Sequence, residues 1–420
     1  MSGNLYIARS TDKSILEAVS SGGVVTSIIK CALENGLIEG VVSVQAKSHD
    51  RFSGIPVLIS RPEDLAGSAG SLHCSIPNIA RFVKEYLNGA TSMKLAVVGK
   101  PCDIRAIVEL QKRQQIEREN LFLIGLNCTG TISPSEARRI FKEEFKVDPK
   151  DVVSEEIDEG RLTIFLRDGT SKSVDLKKLE EQGHGRRDNC RRCTIKIPTF
   201  ADLACGKWGT EDEEEGAVFV EVCSDKGKAL ISNAVEKGCI ETKTPPKTAV
   251  EMRSRREQEE TKLSEEWRDR DFRPILEMSL DERFDYWKHE FDKCVKCYGC
   301  RDACPVCYCK DCLLEADREF LEAGVIPPNA LFPLTRLAHV ADSCVGCGQC
   351  QDACPMDLPL SKLFTLLNSQ LNDVFDYVPG VDIEQGQPLS NAVLRELQVD
   401  DTFLDIRAIM KKERGTGKSV

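Results

Sequence analysis

The chain has 420 residues, 41% hydrophobic and 30% charged, enough for two or three domains with a sizeable core. Its formal net charge of -11 argues against a nucleic-acid partner, which calls for a concentrated basic face. The N-terminus MSGNLYIARSTDKS lacks the basic-then-apolar order of a secretory signal and no apolar run reaches membrane-spanning length, so twenty cysteines point to metal in the cytoplasm rather than to disulfides.

In chain order, the first informative stretch is ILEAVSSGGVVTSIIKCALENG. The loop Ser20, Ser21, Gly22 and Gly23 leads into an amphipathic helix opening at about Val24, so free backbone N–H groups and the positive dipole end face whatever lies before it. Such a start also caps a helix with no ligand at all. A strand is expected from Val41 to Ala46, then a region interrupted by Pro56 and Pro62, then the small-residue loop GSAGSLHC from Gly67. Leu95 to Val98 reads as a buried strand. Lys100, Pro101, Cys102 and Asp103 turn it into a helix from about Ile104. A second unit follows the same plan: a strand from Leu121 to Leu126, the loop Asn127-Cys128-Thr129-Gly130, and a helix after Pro134. Strand, loop and helix in alternation predict an α/β layer with ligand-binding loops at the strand ends.

From Val152 the pattern changes to short strands, with a hairpin turning at Asp168-Gly169. Cys190 and Cys193 then form a C-x2-C pair, and Cys205 lies twelve residues further on. Three cysteines need a fourth to hold an iron-sulfur cube; Cys128 is the expected partner and Cys102 its competitor, while zinc or a redox pair remain open for the motif. The arginines Arg186, Arg187, Arg191 and Arg192 around this pair read either as a solvated basic loop or as an anion site. A strand from Ala217 to Val222 and a helix from about Lys226 to Lys237 close the region, and Cys31, Cys74, Cys223 and Cys239 read as core or incidental residues. Thr242 to about Arg273 is nearly all charge and reads as a solvated linker helix.

The C-terminal third carries the most specific signal. Cys294, Cys297, Cys300 and Cys304 precede Pro305, and Cys344, Cys347, Cys350 and Cys354 precede Pro355. Each set is C-x2-C-x2-C-x3-C-P, the run with which bacterial-type ferredoxins hold paired 4Fe-4S clusters, the fourth cysteine of each run serving the other cluster. One cluster is therefore expected on Cys294, Cys297, Cys300 and Cys354, and the other on Cys344, Cys347, Cys350 and Cys304. Cys307, Cys309 and Cys312 between the runs are alternatives to Cys304 or ligands of a further site. Leu360 to Phe375 has helical apolar spacing and is expected to pack on the cluster region.

Taken in order, SSGGVVTSII, VVGKPCDIRAI, IGLNCTGTIS, CRRC with ADLACGKWG, and the paired ferredoxin runs resemble the beta-subunit family of coenzyme F420 hydrogenases and dehydrogenases. CYGCRDACPVCYCKDC looks most like the formate dehydrogenase branch from methanogens. The resemblance spans essentially the whole chain. It implies an α/β (α+β) flavin-binding domain over 1–241, a charged helical linker over 242–290, a C-terminal bacterial-type two-cluster ferredoxin domain over 291–365, and a subunit-docking tail over 366–420. It implies three 4Fe-4S clusters, the N-terminal one on Cys128, Cys190, Cys193 and Cys205, together with FAD and with coenzyme F420, a deazaflavin, as substrate. Flavin contacts are expected from Ser20 to Gly23 and from Lys100, Pro101, Cys102 and Asp103. The loop at Gly67 lacks the lysine and aromatic that relatives tend to carry there, and no site role is assigned to it. The implied function is that of an electron-transfer and F420-reducing subunit fed by a pterin-bearing formate dehydrogenase catalytic subunit, with a heterodisulfide reductase-type complex as a further partner. The beta subunit of an F420-reducing hydrogenase or of another F420-dependent oxidoreductase, or a flavin-free electron-transfer adaptor, are the alternatives. Arg186 and Arg187 are expected to steer the anionic tail of the deazaflavin.

Overall fold

The structure is a computed structural model that describes residues 4–18, 23–47, 50–213, 216–309, 312–315, 326 and 330–388. Its strands in chain order are β1 (Leu5–Ser10), β2 (Gly40–Lys47), β3 (Asp50–Ile59), β4 (Leu95–Gly99), β5 (Leu121–Leu126), β6 (Val152–Asp158), β7 (Arg161–Leu166), β8 (Ser171–Asp175), β9 (Leu203–Gly206), β10 (Val218–Val222) and β11 (Ile240–Lys243). Eight of these form one sheet in the order β11-β1-β10-β9-β5-β4-β2-β3, and β6-β7-β8 form a second.

The middle of the large sheet is parallel: β2 with β4, β4 with β5, and β5 with β9. β5 is buried along almost its whole length, as its unbroken run LFLIGL requires of a strand covered on both faces. One face is covered by the helices Val24–Glu34 and Asp225–Glu236, the other by Pro101–Lys112. Pro56 does not interrupt the chain there but sits in β3, the edge strand, where its missing N–H costs the sheet no hydrogen bond. The hairpin at Asp168-Gly169 joins β7 to β8 as expected. The small sheet packs under the helix Pro134–Glu143 around Phe141, Leu162 and Ile164.

The cluster region is no satellite. Val340, Val345, Leu358, Leu363 and Phe364 belong to the same apolar core as Ile104, Ile107 and Leu123. The helix Leu360–Phe375 supplies part of that core through the stripe read from the sequence. Arg105, in the sheet-covering helix, donates to Val345 O (3.0 Å) and Pro379 O (2.6 Å). The neighbouring Glu109 accepts from Gly380 N (2.7 Å) and Tyr377 Oη (2.5 Å). The first residues of the expected docking tail therefore dock on their own chain, whereas 389–420 lie outside the described residues.

The charged stretch after Thr242 also departs from expectation. It forms a 30-residue helix, Lys247–Leu276, but one side is buried: Ser264, Trp267, Phe272 and Ile275 are all enclosed. Its acids pair inward, Asp271 with Arg192 and Glu260 with Arg186, and Arg191 stacks on Trp267 at 4.6 Å. The helix is a strut against the Cys190–Cys193 loop. Its buried apolar residues are few and widely spaced over thirty residues, with ion pairs between them, so the apolar periodicity that marks an ordinary core helix is weak. Among the described residues no helix is long and apolar enough to cross a membrane.

Candidate cofactor cavity and cluster sites

A cavity of about 290 Å³ opens at the carboxyl ends of the parallel strands, where open α/β sheets bind ligands. Gly23, Lys100, Asp103, Asn127 and Cys128 line it. Gly23 adopts φ 60, a left-handed conformation that suits glycine, and begins the helix Val24–Glu34 with its first N–H groups towards the cavity end. Lys100 reaches Pro77 O (3.0 Å) and Asp103 (2.9 Å); burial opposes its charge, but Asp103 and nearby thiols lift it above the usual lysine range. Asp103 also accepts from Lys100 N (2.9 Å) and Ile79 N (3.1 Å), closing the turn. Of the expected flavin contacts, Gly23, Lys100 and Asp103 thus reach the cavity, Pro101 and Cys102 are not among its walls, and Ser20, Ser21 and Gly22 lie outside the described residues.

Several walls were not anticipated. The loop after Gly67 contributes Ser68, Ser71 and His73 even without the expected lysine and aromatic, and is held by Glu155, which accepts from His73 N (3.0 Å) and Cys74 N (3.2 Å). Glu156 and Asp158 arrive from the small sheet, and Lys207 from the end of β9 pairs with Glu156. Only ADLACGKWG, a strand ending in Gly-Lys, carried a sequence signal for any of these. The cavity also has an incomplete polar wall: both amide atoms of Asn127 are buried without a partner. That, the cationic Lys100 and the helix start fit a polar heterocycle bearing phosphate.

The ferredoxin cysteines gather in one region. Cys294, Cys297, Cys300 and Cys354 all border one small cavity closed by Phe332 and Phe364. Cys347 and Cys350 each have Cys344 and Cys304 as sulfur neighbours, and Cys350 has Cys300 as well. Burial pushes the Cys300 and Cys344 thiols up to about 11, so iron is needed to hold them as thiolates. Arg336 supplies an independent test of fit. It is 4% exposed, donates to Cys300 O (3.2 Å) and Cys307 Sγ (3.5 Å), and has no carboxylate partner among the described residues. A buried guanidinium among thiols calls for an anion, and an iron-sulfur cluster is one. Cys307 and Cys309 neighbour each other beside Cys304, and Cys312 is buried with Leu314 and Phe332.

In the N-terminal part, burial pushes Cys128 up to about 12, and Cys190 and Cys193 both act on it. Cys102 is raised well above the usual thiol range by burial and Asp103, with Cys347 and Cys128 as its sulfur neighbours. Cys205 is raised to about 12 by burial, but its sulfur neighbour is Cys223. Thus Cys128 has Cys190, Cys193 and Cys102 as sulfur neighbours, and Cys205, paired in the sheet with Leu126 and Val220, lines the same cavity as Cys128. The basic run is not a solvated anion site. Arg186, Arg187 and Arg192 are all buried and tied to Glu180, Asp352 and Asp271.

Residues 5–81 and 92–248 match the N-terminal and C-terminal profiles of the coenzyme F420 hydrogenase/dehydrogenase beta subunit, and 290–358 match a 4Fe-4S dicluster domain. The chain is 43% identical over 389 residues to the F420-dependent formate dehydrogenase 1 subunit beta of Methanococcus maripaludis, covering 91% of this chain and 97% of that one. It is likewise 43% identical over 380 residues to the F420-dependent formate dehydrogenase subunit beta of Methanocaldococcus jannaschii, covering 90% and 96%. The coenzyme F420 hydrogenase subunit beta of Methanococcus voltae is 30% identical over 238 residues, 56% of this chain and 82% of that one. In fold, a chain of the F420-reducing NiFe hydrogenase complex from Methanosarcina barkeri superposes with a TM-score of 0.56 at 23% identity, covering 64% of this chain and 91% of that chain. Cavity, thiol sets and these likenesses agree: the chain belongs to the coenzyme F420 hydrogenase/dehydrogenase beta-subunit family.

Proposed function

We propose that this chain is the electron-transfer and coenzyme F420-reducing beta subunit of a cytoplasmic formate dehydrogenase complex. Its electron source is a pterin-bearing catalytic subunit, and a heterodisulfide reductase-type complex is the second partner in this reading. The observation that carries it is the adjacency of one cavity, walled by Lys100, Asn127 and Cys128, to a constellation of thiols continuous with the ferredoxin region. The match over about nine-tenths of the chain to formate dehydrogenase subunits, against about half for hydrogenase subunits, favours formate over hydrogen as the fuel.

In this reading Cys294, Cys297, Cys300 and Cys354 hold one 4Fe-4S cluster and Cys344, Cys347, Cys350 and Cys304 another. Cys128, Cys190, Cys193 and Cys205 hold the third, Cys205 lining the cavity beside Cys128, and Cys102 is the competing ligand. When bound, the clusters carry single electrons and FAD exchanges them for the hydride that F420 accepts. The chain's own residues bind and orient. Gly23 and the following helix start offer N–H groups to phosphate, Lys100 offers a fixed charge, and Asn127 offers an amide to a polar ring edge. Val24, Val41 and Val98 form an apolar wall that keeps water from the ring.

The test is cofactor analysis of the purified complex. FAD with about twelve irons per beta subunit, and formate-driven reduction of F420, are expected. About twelve irons without flavin would turn the reading into an electron-transfer adaptor, and a nickel-iron partner in place of the pterin subunit would turn it into a hydrogenase. Cys205→Ser is expected to cost about four irons and Cys102→Ser none, and the reverse result would make Cys102 the fourth ligand.

A further inference from the structure

The second ferredoxin run meets the Cys190–Cys193 loop through contacts that the reading above leaves unused. Arg187 is at their centre. Its backbone N–H donates to Thr131 O (3.0 Å), and Nη2 donates to Cys347 O (2.9 Å) and pairs with Asp352. Nη1 lies 4.0 Å from Cys190 Sγ. Around it, Asn189 Nδ2 donates to Gly346 O (3.1 Å), and Gln351 Nε2 donates to Asp188 Oδ2 (3.1 Å). Gly348 makes the approach possible. It adopts φ 73, and a Cβ there would stand 2.1 Å from Asn189 Oδ1 and 2.8 Å from Arg187 Nη2.

Arg187 is 9% exposed, so its charge is only weakly screened by water. A fixed buried cation stabilises negative charge added on either side of it. Here one side is Cys190 and the other is the Cys347 edge of the ferredoxin run, while Asp352 opposes part of the effect. The same contacts hold the two edges together, and electron tunnelling weakens steeply with separation. None of them involves Cys294, Cys297, Cys300 or Cys354.

We propose that Arg187 is the positioning residue of the passage between two clusters: it clamps the Cys347 edge to the Cys190 loop, and its charge raises the reduction potential on both sides. The proposal rests on the assignment of Cys190 and Cys347 as cluster ligands. Cys304, Cys344, Cys347 and Cys350 would hold the donor and Cys190 would help hold the acceptor, and the bound groups would supply transfer of one electron at a time, the first being oxidised and the second reduced. No bond is made or broken, and formate oxidation supplies the electrons.

The experiment compares R187Q, R187K and D352N with the wild type in the full complex, with iron counted and each cluster signal followed by redox titration under electron paramagnetic resonance. In R187Q at full iron, two of three signals shift to lower potential, the Cys294 signal stays, and F420 reduction by formate slows by about ten-fold or more, while formate-driven reduction of a viologen dye persists. R187K restores most of the shift, and D352N moves the same two signals upward. Three unmoved signals in R187Q at full iron, or a downward shift in D352N, would overturn the proposal. Should R187Q lose iron, R187K and D352N carry the same test through their opposite expectations. A wild-type complex without iron at Cys190 would instead remove the underlying assignment, which the iron count alone reveals.

Discussion

The two ferredoxin runs share a spacing and a backbone but differ in what surrounds them. Lys296 and Tyr298 in the first adopt φ 50 and 61, and Gly346 and Gly348 at the equivalent places in the second adopt φ 64 and 73. A short helical turn follows in each, Gly299–Asp302 and Gln349–Asp352. The first run faces outward: Cys297 is exposed, and Tyr298 stands edge-on to Phe332 at 5.5 Å and donates to Leu314 O (2.9 Å). The second faces inward, and its glycine admits Asn189 and Arg187. Cysteine spacing therefore specifies the cluster, while the residues between the cysteines specify the neighbour. Side chains tolerate left-handed backbone where there is room, at about 1–2 kcal/mol each, and only glycine serves where another segment must enter.

Removing iron is the most severe way to test this contrast. It leaves Arg336 buried without a carboxylate partner among the described residues, so the apo chain is expected to unfold roughly 10 °C or more below the loaded one, by circular dichroism, and the first run, with Cys297 exposed, is expected to release its iron before the second. Equal stability of the two forms would mean that the ferredoxin region does not depend on its clusters. Trp267→Ala removes the buried ring that backs Arg191 beside the inward run, at an expected cost of about 3–5 kcal/mol in denaturant unfolding. A loss confined to the surface range would make the strut helix dispensable.

Gly348→Val should cost about 1–3 kcal/mol and slow formate-driven F420 reduction, because the added atoms meet Asn189 and Arg187. Full activity in that variant would separate the close approach from function. The mildest change is Tyr298→Gly on the outward run: relief of left-handed strain offsets lost packing on Phe332, and a net change of about 1 kcal/mol, without effect on activity, is expected. A larger effect there than at Gly348 would invert the contrast.

Much of the scaffold was legible because it rests on local patterns. β5 covers Leu121–Leu126 as read from an unbroken apolar run, and the helix at Val24 starts at the Gly-Gly loop that announced it. The thirty-residue helix was recognised but placed in solvent, because Asp271 and Glu260 look like surface acids until Arg192 and Arg186 are seen against them. Burial and pairing, of Arg186 with Glu180 and Glu260 and of Arg187 with Asp352, leave neither arginine free for the expected role of steering a substrate. Glu156 and Asp158 could not be read as cavity walls, since they come from a different sheet than Lys100 and Asn127.

The sequence by itself determined the two cysteine runs of the ferredoxin region, the α/β layer and the family, because each is carried by short-range spacing and order along the chain. Tertiary structure alone decided which face of each element is covered. It brought Cys102 as well as Cys205 near Cys128, turned a charged helix into a strut, and seated Arg187 between Cys190 and Cys347. Those outcomes depend on burial, and burial is a property of what packs against a residue, which chain order does not record.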